Sequence, residues 1–386
     1  MSRFRTMRGI GSAAALTALL AALLAACGEV PISSKAPTTS SPTTTTTSSS
    51  AADRAAFPPL AGSSVIALQS TQPYTPKAPS GGTDDYHCSL VDPHLTADSY
   101  IVGSDFFPNS PEVHHAILFE VLPADVPRLM ARDNGGAGWT CFGDFGIGQW
   151  LAVWAPGHGL DMAPKGTGFY FPKGSMVIMQ VHYNLFAGDK PTHVRLDLQT
   201  LPAATAHLTS LQILPLPAPP DIPCPSGVTG PLCSRAASLA ELGQQFGQKE
   251  IDFVNGLEQI CGRNPMDPPS SDTTSCTGSL GGSGTILRIQ PHMHLLGASM
   301  KVILDIGTPH ARVLLDDPSY NFDYQRSFDM PAPVAVSASD TITVQCTYNP
   351  RLAQMLPQLR KVPPHFITWG NGSADEMCLA VISFVA

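Results

Sequence analysis

From residue 99 onward the apolar residues fall in short blocks, some alternating with polar residues and some continuous, closed by proline, glycine or aspartate. Blocks of this length predict strands, and their two periods suit sandwiches in which two sheets face one core. In the first half they are SYIVGSDFFP, VHHAILFEVLP, GQWLAVWAP, GTGFYFP, SMVIMQVHYNLF and HVRLDLQTLP. In the second they are HLTSLQILPLP, TILRIQPHMHLLG, SMKVILDIG, ARVLLDD, TITVQCTYNP and MCLAVISFVA. One segment breaks the series. RAASLAELGQQFGQKEIDFVNGLEQI carries Leu, Phe, Ile and Val at helical spacing and predicts a helical pair. No internal repeat indicates a solenoid.

Composition agrees. Charged residues make up 13% of the chain, while 37 prolines and 33 glycines punctuate it, which favours short strands and turns. The net charge of -8 comes without a basic run, so nucleic acid is excluded as a partner.

The N-terminal part reads differently. Arg3, Arg5 and Arg8 precede a short apolar run that ends in LLAACGEV, an export signal too short to span a membrane comfortably. LAAC resembles the lipobox of bacterial lipoproteins, which makes Cys27 a lipid-bearing mature N-terminus and the membrane a partner through that lipid. The stretch KAPTTSSPTTTTTSSSAADRAAFPPLAGSS that follows cannot bury enough apolar surface to offset ordering, and predicts a disordered stalk. Ordered structure is expected from near Asp84. Roughly 300 residues then remain, enough for two domains. The expected organisation is a signal peptide over 1–26, the lipidated stalk over 27–83, and two domains over 84–204 and 205–386. An insertion occupies about 222–278. The chain is expected to be exported, on the cell surface or in the periplasm.

Besides Cys27 there remain Cys88, Cys141, Cys224, Cys233, Cys261, Cys276, Cys346 and Cys378. An even set in an exported chain predicts disulfides, and no CxxC suggests a thiol redox or cysteine zinc site. Two local loops, Cys224 with Cys233 and Cys261 with Cys276, are plausible pairs that bracket the helical segment.

Of the 12 histidines, three groupings stand out: His114 with His115, His182, and His292 with His294. His292 and His294 are two apart in a strand and point to one face, able to grip one ion together, though two nitrogens do not complete a shell. Adjacent histidines point to opposite faces of a regular strand. Pro111 and Glu112 just before His114 leave room for a bulge that lets both converge.

The ordered motifs HHAILFE, WAPGHGLDMAPKGTGF, QVHYN, PHMHLLG and DEMC resemble the copper type II, ascorbate-dependent monooxygenases, the family of peptidylglycine alpha-hydroxylating monooxygenase and dopamine beta-monooxygenase. The resemblance runs from about Asp84 to Ala386. It implies an all-β fold of two tandem antiparallel, jelly-roll-like β-sandwiches, each holding one of two copper ions across a solvent-filled cleft. His114, His115 and His182 would hold the first copper; His292, His294 and the thioether of Met377 the second. Imidazole suits both copper oxidation states and a thioether favours Cu(I). The resemblance also implies a Cys346–Cys378 bridge beside Met377.

By the same resemblance, the first copper stores and delivers an electron. The second, at His292, His294 and Met377, carries catalysis: it binds dioxygen and abstracts a hydrogen atom from a substrate C–H bond, with ascorbate or a similar reductant reloading both. Gln180, two residues before His182, is either an outer hydrogen-bonding partner of that centre or a plain buried glutamine. In the peptide-amidating branch an arginine, an asparagine and a tyrosine hold the substrate carboxylate. Here Gln290, Leu379 and Val381 stand at those positions, so the expected substrate is small and apolar or neutral. A non-catalytic copper-buffering lipoprotein is the alternative. A zinc hydrolase is disfavoured, since no HExxH is present.

Overall fold

Two pairs of sheets account for most of the chain in this computed structural model, which describes residues 56–78, 82–142 and 148–386. The fold is predominantly β. In the first pair, one sheet runs Ser64–Gln69, Arg195–Pro202, Ser99–Phe107, Thr167–Phe171 and Thr209–Ser210 in spatial order, antiparallel except for its last member. The other runs Trp139–Thr140, Asp84–Val91, Met176–Asn184, Val113–Val121 and Gln149–Trp154. Phe106, Leu118, Phe171, Met179 and Leu196 fill the space between them.

The second pair repeats the arrangement. Gln212–Pro217, Cys378–Val385, Gly284–Met293 and Phe328–Val336 form one sheet; Thr273–Gly278, Ile342–Tyr348, Gly297–Leu304 and Arg312–Asp317 form the other. Ile286, Met300, Val302 and Ile382 build their common core, and the Cys346–Cys378 disulfide crosses it from sheet to sheet.

The helical segment forms Arg235–Phe246 and Gln248–Ile260. Ser234 caps the first, its Oγ accepting from the Ala237 N–H. Leu239, Leu242, Val254 and Leu257 face a third apolar cluster with Ile117 and Phe119 of the first half and Leu379 and Val381 of the second. The helices therefore cover the seam where the outer faces of the two halves meet. Cys224–Cys233 and Cys261–Cys276 are bridged, as is Cys88–Cys141.

Three expected boundaries move. The stalk does not extend to residue 83: Ser64–Gln69 pairs along Arg195–Pro202, and Leu68 is buried. Its apolar run over 65–68 is short and stands among Ser, Thr and Pro residues, which hid it. The first domain does not close at 204, because Thr209–Ser210 still pairs with Thr167–Gly168 and Leu211 lies in the first core. Nor does the insertion last to 278, since Thr273–Gly278 is a ladder strand along Ile342–Tyr348. The signal peptide, Cys27 and most of the stalk lie outside the described residues.

Candidate metal centres

A bulge builds the first centre. In the pairing of Val113–Val121 with Met176–Asn184, Val113 lies opposite Tyr183 and His115 opposite His182, so His114 is the extra residue. Tyr86 lies opposite His182 on the other side, giving a cross-strand row Tyr86, His182, His115 on the sheet's outer face. The bulged His114 joins that row, its Nδ1 lying 3.2 Å from His182 Nδ1. Two nitrogens about 2.0 Å from one ion at a tetrahedral angle stand roughly that far apart. One nitrogen from each of the three histidines lies within 4.8 Å of the others.

The surroundings select which nitrogen is offered. His182 Nε2 is 2.9 Å from Asp84 Oδ1, which leaves its Nδ1 facing the cluster. Asp84 in turn accepts from Ser373 Oγ at 2.7 Å and from Thr83 Oγ1 at 2.8 Å. Tyr86 stacks on His182 with centroids 4.3 Å apart, and its hydroxyl is 3.3 Å from His115 Nε2. His114 Nε2 and His115 Nδ1 are buried without a hydrogen-bond partner. Gln180 is buried on the same face as His182, two residues before it.

The second group arises from strand register. His292 lies opposite Leu379 and Met293 opposite Cys378. Alternation puts His292, His294, Leu379 and Met377 on one face, the face turned to the first half, while Met293 and Cys378 enter the second core. His292 Nδ1 is 2.7 Å from Gln325 Oε1, and His294 Nδ1 is 3.0 Å from the Asp375 carbonyl. Both bonds make Nδ1 the donor and turn Nε2 into a lone-pair site; His294 Nε2 is buried with no partner. The buried Glu376 carboxylate accepts from the N–H groups of His294, Leu296 and Met377, tying the two strand ends together. Burial pushes this carboxyl up to about 8, against the pull of those three donors.

Electrostatics favours neutral rings. Burial, and then the neighbouring imidazoles, holds His114 and His115 well below the ordinary imidazole range. Burial lowers His292 to about 4 and His294 to about 3. Such rings keep lone pairs at neutral pH. Buried imidazoles, with the Met377 thioether on the same face as His292 and His294, form a donor set that fits copper.

The six side chains do not stand across a solvent-filled cleft. His115 and His292 meet edge to face with centroids 5.5 Å apart, and every one of the six is buried. Phe322 fills the space beside them, stacked on His114 at 4.2 Å and edge-on to His294 at 6.2 Å. Asp84, Tyr86, Phe322, Gln325 and Ser373 escaped the sequence reading, and Asp375 and Glu376 entered it only within the DEMC motif, with no role of their own.

A β-rich protein with one buried three-histidine cluster able to hold a metal ion, and a second buried histidine pair beside it, is the class these features define. Residues 272–385 match the model of the copper type II ascorbate-dependent monooxygenase C-terminal domain. The C-terminal part of the chain thus carries the C-terminal domain of the copper type II ascorbate-dependent monooxygenase family. It is 30% identical over 89 residues to "DBH-like monooxygenase protein 2" of Mus musculus, a match spanning 23% of this chain and 13% of that protein. Among solved structures, the major capsid protein P2 of bacteriophage PM2 aligns at TM-score 0.32 and 8% identity, covering 84% of this chain and 97% of that one. A peptide-N(4)-(N-acetyl-beta-D-glucosaminyl) asparagine amidase aligns at TM-score 0.32 and 7% identity, covering 83% and 95%. Nothing about the site follows from these two.

Proposed function

We propose that this chain is an exported monooxygenase that binds two copper ions in two tandem jelly-roll-like sandwiches and hydroxylates a C–H bond of a small substrate with dioxygen and ascorbate or a similar reductant. His114, His115 and His182 hold one ion; His292, His294 and Met377 hold the other. Copper supplies the one-electron chemistry toward dioxygen that no side chain provides. The observation that supports the reading is the convergence of three buried histidines, one nitrogen of each within 4.8 Å of the others, with His292 and His294 buried close by and His292 in ring contact with His115. The protein's own part is placement. Asp84 orients His182, Gln325 orients His292, the Asp375 carbonyl orients His294, and Glu376 fixes the backbone between His294 and Met377.

A neutral, largely apolar substrate fits the residues beside the second centre. Gln290 lies opposite Val381 and two residues before His292, with its Nε2 buried and without a partner. Around it is a cavity of about 30 Å³ whose lining mixes apolar Ile101, Leu151 and Val381 with the uncharged polar Ser104, Ser327 and Ser383, beside the paired Arg288 and Asp161. The nearby Arg288 is spent on Asp161 and Asp329, each at 2.6 Å, and offers no free cation to a carboxylate. Substrate entry requires the two halves to part here.

Complete burial of the ligands also favours a copper store, which likewise holds its ion away from solvent. Dioxygen uptake separates the two. An oxygenase consumes dioxygen with ascorbate and copper together, and loses that uptake in Met377→Ala; a store consumes none beyond free copper controls. The four disulfides suit an oxidising compartment. Among the described residues no helix is long and apolar enough to cross a membrane. Attachment through a lipid on Cys27 is proposed from LAAC, and fatty-acid labelling lost in Cys27→Ser tests it.

A further inference from the structure

One short loop touches the surroundings of both centres. Residues 370–376, GNGSADE, lead into Met377 from the second half. The Asn371 carbonyl accepts from Tyr86 OH at 3.0 Å, and that hydroxyl lies against His115. Ser373 Oγ donates to Asp84 Oδ1, the oxygen that meets His182 Nε2, and accepts from Asn184 Nδ2 at 3.0 Å. Two residues on, the Asp375 carbonyl accepts from His294 Nδ1. The next side chain, Glu376, takes the His294 and Met377 N–H groups. Asn371, Ser373 and Glu376 are each at most 1% exposed, so water does not substitute for these bonds.

We propose that this loop makes copper binding at the two centres interdependent, with Ser373 as the positioning residue. The inference rests on the two-copper reading above. An ion at the second centre fixes the His294 ring and, through it, the Asp375 carbonyl. The backbone from 373 to 375 is then held with Ser373 Oγ on Asp84. Asp84 in turn keeps His182 in the tautomer that offers Nδ1. The coupling is reciprocal, so an ion at the first centre favours the second equally. A second route exists through the His115–His292 ring contact, across which two cations repel and weaken each other's binding. Substituting Ser373 leaves that contact in place. Any coupling lost with Ser373 therefore travels through the loop.

The test measures Cu(I) affinity of the first centre by chelator competition on the full folded chain. It does so with the second centre filled, and in a His292→Ala background that removes a ligand outside the loop's own bonds. This factor is compared between the native chain and Ser373→Ala. The expected result is that Ser373→Ala reduces the factor by about five-fold or more. Thr83→Val, which removes a bond to Asp84 that does not involve the loop, weakens the first centre but leaves the factor unchanged. If Ser373→Ala does not fold, Asn184→Leu, which releases the same hydroxyl, must reduce the factor. An unchanged factor in a Ser373 or Asn184 variant that still binds two coppers overturns the coupling and leaves the two-copper reading standing; a native chain that binds no copper overturns both.

Discussion

Single side chains around the ligands carry the most concentrated risk in this molecule. Glu376 accepts three backbone N–H groups in a fully buried position. Glu376→Ala leaves those donors unpaired, and a cost of about 3 kcal/mol or more is expected in equilibrium denaturant unfolding of the metal-free protein. Gln325 acts on the metal more than on the fold. Without its oxygen, His292 Nδ1 loses the acceptor that fixes its tautomer, so Gln325→Leu is expected to weaken the second centre by roughly 10- to 100-fold in chelator competition. The reverse order, with the first centre weakened more, would refute the assigned role. At this scale the sequence was half legible. HxH in a strand announces a shared face, and Met377 became visible only through family resemblance, because a single methionine in an apolar block is ordinary core filler. Asp84 was the hardest to see: its strand begins Asp84-Asp85, and two acids are a poor advertisement for a buried position.

Among the elements, alternating strands were readable and the exceptions have physical causes. Phe328–Val336 carries two prolines and was not among the apolar blocks, yet it pairs at the edge of its sheet, where a missing N–H is tolerated. The His114 bulge was legible as a possibility from Pro111 and Glu112, but only the opposite strand fixes which residue is extra. Two predictions belong here. The Cys346–Cys378 bridge closes a 32-residue separation and pins the strand that begins beside Met377. Replacing both cysteines by serine is expected to cost roughly 3 to 4 kcal/mol in unfolding and to weaken the second centre more than the first. The other concerns pH. His87, in Asp84–Val91, stacks on Tyr74 at 3.5 Å, and burial lowers it to about 4. The unfolded chain takes up that proton near about 6.5, before the native state does. Stability from the neutral ring is thus complete above that value and declines as pH falls towards 4, by roughly 3 kcal/mol. His87→Phe should flatten this part of the unfolding profile; a slope unchanged between native and variant would contradict the assignment.

For the molecule as a whole, two pairs of sheets pack into one compact unit, and the histidines lie buried between them. Sequence patterns describe each strand's own faces and say little about which outer faces meet. The cleft was expected from the family resemblance alone, and Phe322 was not expected: it becomes meaningful only when stacked on His114. The N-terminal strand is the second lesson of this scale. A chain starting at Gly82 loses Ser64–Gln69 and the buried Leu68, together with the Tyr74 hydroxyl on Asp85 at 2.7 Å. It should be at least about 1.5 to 3 kcal/mol less stable than one starting at Ala56. Equal melting of the two would mean that residues 56–78 contribute nothing to the first sheet pair.

Copper stoichiometry of the purified folded chain decides whether both groups of ligands are metal centres. Quantitative metal analysis after loading with Cu(I) and removal of weakly bound ion should find two coppers per native chain. Met377→Ala should retain one, and its oxidised form should carry the nitrogen-rich Cu(II) spectrum of the His114, His115 and His182 group. A native chain that holds none, or a Met377→Ala chain that holds two as tightly as the native one, would contradict the ligand assignment.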